Sequence, residues 1–356
     1  MVMPNKVLFQ SKFKFKIMIK NKALLGILFF ISSISMYSCT NEKDNNSEEL
    51  KRKTARVVGY LSSDSFSKIN SIQFCKLTHL NIAFANPDKD GNLIFNGDID
   101  VVTKYVRSVN PKISISISLA GGVISEEQAA NWSSLIDTPQ NRPAFIQNIL
   151  KFVTEHNLDG VDVDLEWNAV TSGYSGFVVE LKKELTNSKK LLTAALPNNT
   201  RFVNINADAL NAFDFINIMA YDSTGPWSPN KAEQHSSFEF AKEGVEFWRK
   251  QNVSSDKLTL GVPFYGYNFT YPAVTSSTFG EIVLTGTQFA DQDEIGKIYY
   301  NGRPTILKKV EYAAHNTGGI MIWELAQDSF DDYSLLDVIH RKYTDLKFRT
   351  SSMCGN

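Results

Sequence analysis

The sequence has 356 residues, of which 43% are hydrophobic and 21% charged, a composition typical of globular proteins that excludes a chain disordered throughout. Its formal net charge at pH 7 is -1, from 37 basic and 38 acidic residues, and so weak a charge cannot gather nucleic acid or anionic lipid over a distance. We therefore expect a neutral partner or substrate. The aromatic content of 12% suits either a large core or a surface that stacks on sugar rings.

The first 38 residues are predicted to form an export signal. A basic stretch precedes an apolar run from Ala23 to Ile34, which is too short to cross a bilayer comfortably as a permanent helix. Translation could start at Met1 or at Met18, and the later start leaves a signal of ordinary length.

The pair Ser38-Cys39 ends this stretch and resembles the processing site of a bacterial lipoprotein. Met36 stands three positions before the cysteine, where such signals usually carry Leu. The resemblance implies that Cys39 is the acylated first residue of the mature chain and that residues 39–54 form a polar tether. The protein would then be exported and lipid-anchored to the outer membrane, on the cell surface or on the periplasmic face.

The sequence contains three cysteines, and Cys39 is assigned to the lipid anchor. The other two, Cys75 and Cys354, lie in segments without a pairing signature, so no disulfide framework is predicted. We expect Cys75 to be a small buried apolar side chain.

Residues 55–345 repeat one theme, in which a short apolar strand is followed by a polar turn and a longer amphipathic stretch. Such a rhythm is typical of βαβ units. The predicted strands are Arg56–Leu61, His79–Ala85, Lys112–Leu119, Gly160–Glu166, Leu191–Leu196, Phe215–Ala220, Leu258–Val262 and Gly319–Trp323. Eight strands in roughly 290 residues predict an α/β fold, a single-domain (β/α)₈ TIM barrel, and residues 346–356 are predicted to be a C-terminal tail.

Two connections carry further signals. Between the third and fourth strands, Thr138-Pro139 is predicted to cap a helix, and Asn157 is predicted to end it in a left-handed conformation. The Ser-, Thr- and Gly-rich segment from Asn268 to Thr305 is predicted to be an elaborated loop with a small hairpin and a turn at Asn301-Gly302.

Acidic and apolar residues alternate strictly from Val161 to Glu166. This period of two places Asp162, Asp164 and Glu166 on one face of a strand. A solvated edge strand could show the same pattern, but a mid-chain strand in an α/β rhythm has no solvent face, so the acids are predicted to point into the barrel. Glu166 falls at the carboxyl end of its strand, where barrel active sites are built.

Three carboxyl groups so close together cannot all be ionised at neutral pH, because like charges raise one another's pKa. We expect a protonated Glu166 to act as general acid on a glycosidic oxygen. Asp164 is predicted to relay charge beside it, and Asp162 is predicted to keep the shared proton in place.

The acids Asp159, Asp162, Asp164 and Glu166 reproduce the Asp-x-x-Asp-x-Asp-x-Glu signature, and the chain resembles family 18 of the glycoside hydrolases, the chitinase family. Four further segments resemble the second, sixth, seventh and eighth strands of that family: Leu77–Ala85, Met219–Asp222, Leu260–Gly266 and Gly318–Glu324.

The resemblance implies a retaining mechanism in which the substrate's own 2-acetamido oxygen attacks the anomeric carbon and forms an oxazolinium ion. Glu166 would protonate the leaving group and later activate water. Asp164 would bond the acetamido N–H, Tyr221 would bond the acetamido oxygen, and Asp222 and Met219 would line the same pocket.

Several aromatic residues are candidates for contact with sugar. The resemblance implies that Trp323 forms an apolar floor under the distorted sugar ring. Tyr60 and Phe84 are placed to help form the same wall, although plain barrel filling explains them about equally well. Trp227 and Tyr265 lie just past strands and could stack on flanking sugars.

The third strand departs from the family pattern, which usually ends Ser-x-Gly-Gly. Here Ser118 stands one residue earlier, so its contact with the acids is not assured, whereas Gly121 and Gly122 are retained. Too little chain follows the seventh strand for the full α+β insertion of some relatives. An open groove and endo cleavage are therefore expected.

Three functions remain open from the sequence. The first is hydrolysis of β-1,4-linked N-acetylglucosamine polymers such as chitin or chitooligosaccharides. The second is an endo-β-N-acetylglucosaminidase acting on the chitobiose core of N-glycans, and the third is a non-catalytic chitin-binding lectin. The aromatic residues favour a linear polymer, and the intact acids count against a lectin. The five histidines are scattered and no phosphate loop or nucleotide motif is present, so neither a cofactor nor a metal is expected, and a monomer is predicted.

Overall fold

The structure is a computed structural model that describes residues 53–270 and 272–350. The predicted signal, the acylated Cys39, most of the tether and Cys354 lie outside the described residues. Among the residues described, no helix is both long and apolar enough to span a membrane.

Eight parallel strands close into a barrel, which confirms the predicted fold. Each predicted strand is present, with bounds that differ by two residues at most. The barrel strands are β1 (Arg56–Ser62), β2 (His79–Pro87), β4 (Ser114–Gly121), β5 (Gly160–Leu165), β6 (Leu191–Pro197), β7 (Phe215–Met219), β8 (Leu258–Pro263) and β13 (Gly319–Trp323). They pair in that order, and β13 closes the ring by pairing with β1. The further described strands are β3 (Leu93–Ile94), β9 (Tyr265–Asn268), β10 (Thr275–Thr278), β11 (Glu294–Ile295) and β12 (Ile298–Tyr299).

Helices surround the barrel. Those in the described part of the chain are α1 (Ile99–Val109), α2 (Glu126–Ile136), α3 (Arg142–Glu155), α4 (Tyr174–Asn187), α5 (Ala207–Ala212), α6 (Phe238–Lys250), α7 (Phe279–Leu284), α8 (Arg303–Asn316) and α9 (Leu335–Asp345). Between β1 and β2 the connection consists of two 3₁₀ helices, Ser63–Ser71 and Phe74–Lys76.

Alternation along the strands separates two cores. Outward-facing residues such as Val161, Val163 and Leu165 join the large apolar layer between barrel and helices. A small inner cluster fills the barrel, formed by Val58, Tyr60, Ala83, Ala195, Phe215 and Met321. The polar residues of β5 share this interior, as the sequence predicted.

The second of the two helices between β4 and β5, α3, begins later than predicted. Thr138 and Pro139 belong to a turn, in which the backbone N–H of Asn141 donates to the carbonyl of Thr138 at 3.0 Å. α3 begins at Arg142, next to Pro143, whose fixed backbone angle suits the first helical turn. The predicted left-handed residue after the helix is confirmed, because Asn157 has a φ of 49°.

The segment after β8 carries more structure than the predicted hairpin. Strands β9 to β12 form a four-stranded antiparallel sheet in the order β10-β9-β12-β11, and α7 lies within the same segment. Asn301 and Gly302 form the entry to α8, for which Gly302 is the N-cap. This small sheet stands beside the carboxyl ends of the barrel strands.

One cysteine differs from the expectation. Cys75 is disulfide-bonded and half-buried, so the prediction of a buried, unpaired thiol was wrong. The sequence offered no pairing pattern because the three cysteines are far apart along the chain.

Candidate active site

The innermost acid of the β5 line is held by neighbouring strands. Asp162 is fully buried, and its two oxygens accept hydrogen bonds from Tyr60, Ser118, Thr193 and Asn217 at 2.7, 2.8, 2.5 and 3.3 Å. The barrel register places Ser118, Asp162 and Thr193 side by side on β4, β5 and β6. Burial raises the pKa of Asp162, and these four donors oppose that rise.

Ser118 therefore does contact the acids of β5, although its position in the sequence did not assure this. The hydroxyl of Ser118 donates directly to Asp162. The early serine faces the barrel interior because Ser116 and Ser118 alternate with the outward-facing Ile117 and Leu119.

Asp164 and Glu166 form a coupled pair toward the mouth of the barrel. Asp164 is buried, and its Oδ1 has no hydrogen-bond partner. Burial raises the pKa of Asp164 well above its usual range, and the charges of Glu166 and Asp162 add to the effect. Burial, followed by the charge of Asp222, raises the pKa of Glu166 to about 7. A carboxyl group with this pKa can donate a proton near neutral pH.

Two glycines after β4 leave room for the site. A Cβ atom on Gly122 would lie 2.6 Å from Oε1 of Glu166. Any larger residue at position 122 would therefore displace this carboxyl group. Gly121 has a left-handed φ of 87°, and a Cβ there would lie 2.7 Å from the ring of Phe84. Both glycines that the sequence singled out therefore border the acid or the aromatic floor.

Three aromatic rings form the floor of the cleft. Phe84 stacks on Trp323 with ring centroids 5.5 Å apart and an interplanar angle of 23°, and Tyr60 lies 5.6 Å from Trp323. The peptide bonds that precede Phe84 and Glu324 are cis. Tyr60 is only 1% exposed and donates to Asp162, so it supports the floor from within the barrel.

The end of β7 brings Met219, Tyr221 and Asp222 to the same cleft. Met219 and Tyr221 pack on the inner cluster, and the Tyr221 hydroxyl lies 3.9 Å from the sulfur of Met321. Burial raises the pKa of Tyr221 well above its usual range, and the charges of Asp164 and Asp222 raise it further. The phenol therefore keeps its proton and can donate a hydrogen bond to a ligand.

Asp222 has a left-handed φ of 65° and is held by side chains from two other segments. The hydroxyls of Tyr265 and Tyr267 donate to its Oδ1 at 2.6 and 3.0 Å. Nδ1 of His235 lies 3.2 Å from the same oxygen. Tyr265 is only 7% exposed, so its hydroxyl is committed to Asp222 and its ring contributes little open surface.

A cavity of about 360 Å³ opens between the cleft and the small sheet. It is lined by Asp222, Tyr265, Tyr267, Trp323, Gln327 and the hydroxyl-bearing residues Ser276, Ser277 and Thr278. Concave spaces of this size with a few convergent polar groups are typical of small-ligand sites.

Two tryptophans are exposed at the rim. Trp227 is 58% exposed and meets the ring of Tyr267 edge-on at 5.8 Å, as expected of a residue available for stacking. Trp167 follows Glu166 directly, is 65% exposed and contacts the edge of Phe202 at 6.2 Å.

Sequence reasoning missed several residues of the site. Thr193, Asn217, His235 and Tyr267 are neutral or isolated side chains on other strands and loops, and nothing in their spacing indicates that they converge. Tyr267 alone had a local signal, because it shares one face of a strand with Tyr265 two residues before it.

The arrangement provides one proton donor, a neighbouring buried carboxyl group, a phenol and an apolar floor. Within the described residues, no three His, Cys, Asp or Glu side chains are grouped so as to hold a metal ion. A protonated Glu166 above an aromatic floor can serve as general acid in the cleavage of a glycosidic bond.

Comparison with known proteins agrees with this geometry. The sequence model of the glycosyl hydrolases family 18 matches residues 56–328. Among solved structures, the chain is similar to the GH18 chitinase ChiB from the chitin utilization locus of Flavobacterium johnsoniae. That similarity has 86% identity and a TM-score of 0.85, and it covers 85% of this chain and 98% of that one. A chitinase from Bacteroides thetaiotaomicron is 31% identical with a TM-score of 0.70, over 82% of this chain and 96% of that one.

Among curated proteins, the chain is 25% identical to chitotriosidase-1 of Mus musculus, over 64% of this chain and 56% of that protein. It is 26% identical to an endochitinase of Manduca sexta, over 62% of this chain and 46% of that protein. The matched part thus spans about half the length of these relatives.

Proposed function

The chain belongs to family 18 of the glycosyl hydrolases, and from this premise we propose that it hydrolyses β-1,4-linked N-acetylglucosamine polymers, chitin or chitooligosaccharides. The observation that carries the proposal is the carboxyl group of Glu166, whose pKa is raised to about 7 at the mouth of the barrel beside the buried Asp164. A lectin needs no proton donor tuned in this way. The two solved relatives named above are both described as chitinases.

In the proposed mechanism, the substrate supplies the nucleophile. The carbonyl oxygen of the 2-acetamido group attacks the anomeric carbon, the glycosidic bond breaks, and Glu166 gives its proton to the leaving oxygen. Glu166, now ionised, then takes a proton from the water that opens the oxazolinium ring. The configuration at the anomeric carbon is retained.

Neighbouring side chains stabilise this intermediate. Asp164 has a free buried oxygen that can accept the acetamido N–H and offset the positive charge of the ring. The protonated phenol of Tyr221 can donate to the acetamido oxygen, and Trp323 offers an apolar face beneath the sugar.

Endo cleavage in an open groove is part of the proposal. The small sheet after β8 stands on one side of the cleft, and the exposed Trp167 and Trp227 leave its rim accessible to a chain that extends past both ends. We also infer that the enzyme acts as a monomer without a cofactor.

Product analysis tests the function. The soluble domain from Lys51 onward would be incubated with chitin oligosaccharides and, in parallel, with a high-mannose glycopeptide. Glu166→Gln, which removes the acid and keeps the shape, is the control. Cleavage of the oligosaccharides with retention, lost in the variant, is the expected result.

Other outcomes separate the alternatives. Cleavage of the glycopeptide alone would indicate an endo-β-N-acetylglucosaminidase with the same chemistry. Binding of either ligand without cleavage would indicate a lectin and contradict the proposal.

For the location, we propose export and lipid attachment at Cys39, supported by the sequence pattern alone because Cys39 lies outside the described residues. Incorporation of labelled palmitate in producing cells, lost in Cys39→Ala, is the expected result. Protease added to intact cells would then tell the cell surface from the periplasmic face.

A further inference from the structure

A buried group of polar residues lies behind Asp222, and the proposed mechanism does not use it. His235, Ser236 and Lys309 are fully buried, and Asn301 is only 2% exposed. His235 and Ser236 belong to the loop that joins β7 to α6, whereas Asn301 and Lys309 come from the entry and the body of α8. Buried polar side chains are costly unless they are satisfied, so such a group calls for a role.

The loop that carries His235 folds back on the end of β7. The backbone N–H of Ser223 donates to the carbonyl of His235 at 3.0 Å, and the hydroxyl of Ser236 donates to the carbonyl of Ala220 at 2.6 Å. Residues on both sides of Asp222 are therefore bonded to the segment that carries the histidine.

Lys309 holds this segment from the outside of the barrel. Its Nζ donates to the carbonyl and hydroxyl oxygens of Ser236 at 2.7 and 2.6 Å and to Oδ1 of Asn301 at 2.7 Å. The amide of Asn301 donates to the same Ser236 carbonyl at 2.9 Å. The backbone next to His235 is thus fixed to α8.

The imidazole ring itself is fixed at both nitrogens. Nε2 lies 3.3 Å from the carbonyl oxygen of Tyr265, which can only accept, so Nε2 carries a hydrogen. Nδ1 is then the acceptor: it accepts the backbone N–H of Asp222 at 3.4 Å and lies 3.2 Å from Oδ1 of the same residue. The rings of Tyr265 and Tyr267 lie 5.1 and 4.9 Å from the imidazole and leave it no room to turn.

We propose that His235 is a positioning residue that fixes the Asp222 carboxylate where its negative charge acts on Glu166. The proposal rests on the proposed function, in which Glu166 is the acid. His235 holds the backbone N–H of Asp222, while the hydroxyls of Tyr265 and Tyr267 hold its Oδ1, so that carboxylate cannot turn freely toward solvent. Its charge is the second cause, after burial, of the raised pKa of Glu166.

In the described part of the chain, the titratable groups around Asp222 and His235 come from several elements. Tyr265 and Tyr267 come from β9, Tyr221 from the end of β7, and Glu166 from the end of β5. From behind, Lys309 contacts the adjacent Ser236, and the backbone of Asp293 accepts from the neighbouring Gln234.

The test is a titration of Glu166 in the free protein, followed by NMR with ¹³C-carboxyl glutamate and assigned through Glu166→Gln. Asp222→Asn should lower the pKa of Glu166 by roughly 1, because a nearby like charge is removed. His235→Phe should lower it in the same direction by about half as much, since the released carboxylate turns away. The double variant should show no further fall than Asp222→Asn alone.

His235→Asn provides a second, smaller polar variant, for which an intermediate fall is expected, so the test does not depend on the folding of His235→Phe. His79→Phe is the control, because His79 is a half-buried histidine at the opposite end of the barrel, where desolvation lowers its pKa to about 4. It should lower the melting temperature and leave the Glu166 titration unchanged.

The titration needs no substrate, so it is independent of whether chitin is cleaved. An unchanged or raised pKa of Glu166 in both His235 variants would overturn the proposal. The proposal would also fail if the fall in the pKa of Glu166 in the double variant equalled the sum of the falls in His235→Phe and Asp222→Asn. In the active enzyme, the basic limb of the kcat/KM profile should move to lower pH with the pKa, because Glu166 must be protonated to act as acid.

Discussion

At the scale of single residues, the space around Glu166 depends on one missing side chain. Gly122→Ala would place a Cβ atom 2.6 Å from Oε1 of Glu166 and push the carboxyl group aside. A misplacement of about 1 Å at a reacting group can cost on the order of 10²-fold in rate, so we expect kcat to fall by about that factor. The melting temperature should change little, because a flexible carboxyl end can move away. Steady-state kinetics and thermal unfolding measure both.

The neighbouring Gly121 serves as comparison for this prediction. Gly121→Ala would meet the ring of Phe84 at 2.7 Å and would force a left-handed φ of 87° on alanine. It should lower the melting temperature together with the activity. Equal losses of stability in both variants would contradict a specific effect on Glu166.

The coupled pair gives a second prediction at this scale. Asp164→Asn removes the group that offsets the positive charge of the oxazolinium ring, so kcat should fall by about 10²- to 10³-fold. The acidic limb of the pH profile should also move to lower pH or flatten. In the wild type that limb reflects protonation of Asp164, whose pKa is raised, and asparagine does not titrate in this range. Residual activity with an unchanged acidic limb would disprove the coupling.

The acids themselves could be predicted from the sequence, whereas their partners could not. Alternation along one strand places Asp162, Asp164 and Glu166 on one face without any knowledge of the fold. Thr193 and Asn217 bond to Asp162 only because the barrel register aligns three strands, and that register is a property of the closed sheet.

At the scale of elements, the eight barrel strands could be predicted to within two residues because each is an apolar run with clear boundaries. The strands of the small sheet could not. β11 and β12 have two residues each, too few for a period of two to be visible. The start of α3 was also misplaced, because Thr138-Pro139 can begin either a helix or a turn.

The packing of α8 on the loop after β7 gives a prediction about stability. Burial lowers the pKa of Lys309 to about 7. Between pH 7 and about 10 the unfolded chain therefore binds more protons at this site than the folded chain does. The contribution of Lys309 to the free energy of unfolding consequently becomes more favourable to the folded state as the pH rises. Lys309→Met lacks this contribution. We expect the stability of wild type relative to the variant to increase from pH 7 to pH 10 in denaturant titrations.

A suitable control is Lys182→Met. Lys182 lies on α4 and donates to both oxygens of Asp214, and a quarter of its side chain is exposed. The difference in the free energy of unfolding between wild type and Lys182→Met should be nearly constant from pH 7 to pH 10. A parallel rise in both variants would show that the effect does not come from the buried amine.

At the scale of the whole molecule, the rhythm of strands and helices predicts a barrel, but it does not show how the chain ends are joined to it. β1 closes the ring by pairing with β13, and the backbone of Ala55 donates to the carbonyl of Arg349 at 2.9 Å. The N–H of Arg349 in turn donates to Lys53 at 2.8 Å. These contacts join the two ends of the described chain, and local patterns carry no information about them.

The disulfide-bonded Cys75, which lies in the 3₁₀ helix Phe74–Lys76, gives the last prediction. A disulfide restricts the unfolded chain, so Cys75→Ser should lower the free energy of unfolding by about 2–4 kcal/mol. Activity of the folded protein should be retained, because Cys75 precedes β2 at the amino ends of the barrel strands, whereas Glu166 lies at the carboxyl end of β5. Denaturant titrations with and without reductant measure the effect. Reductant should bring the wild type to the stability of Cys75→Ser and leave the variant unchanged, whereas a wild type insensitive to reductant would contradict a stabilising bond.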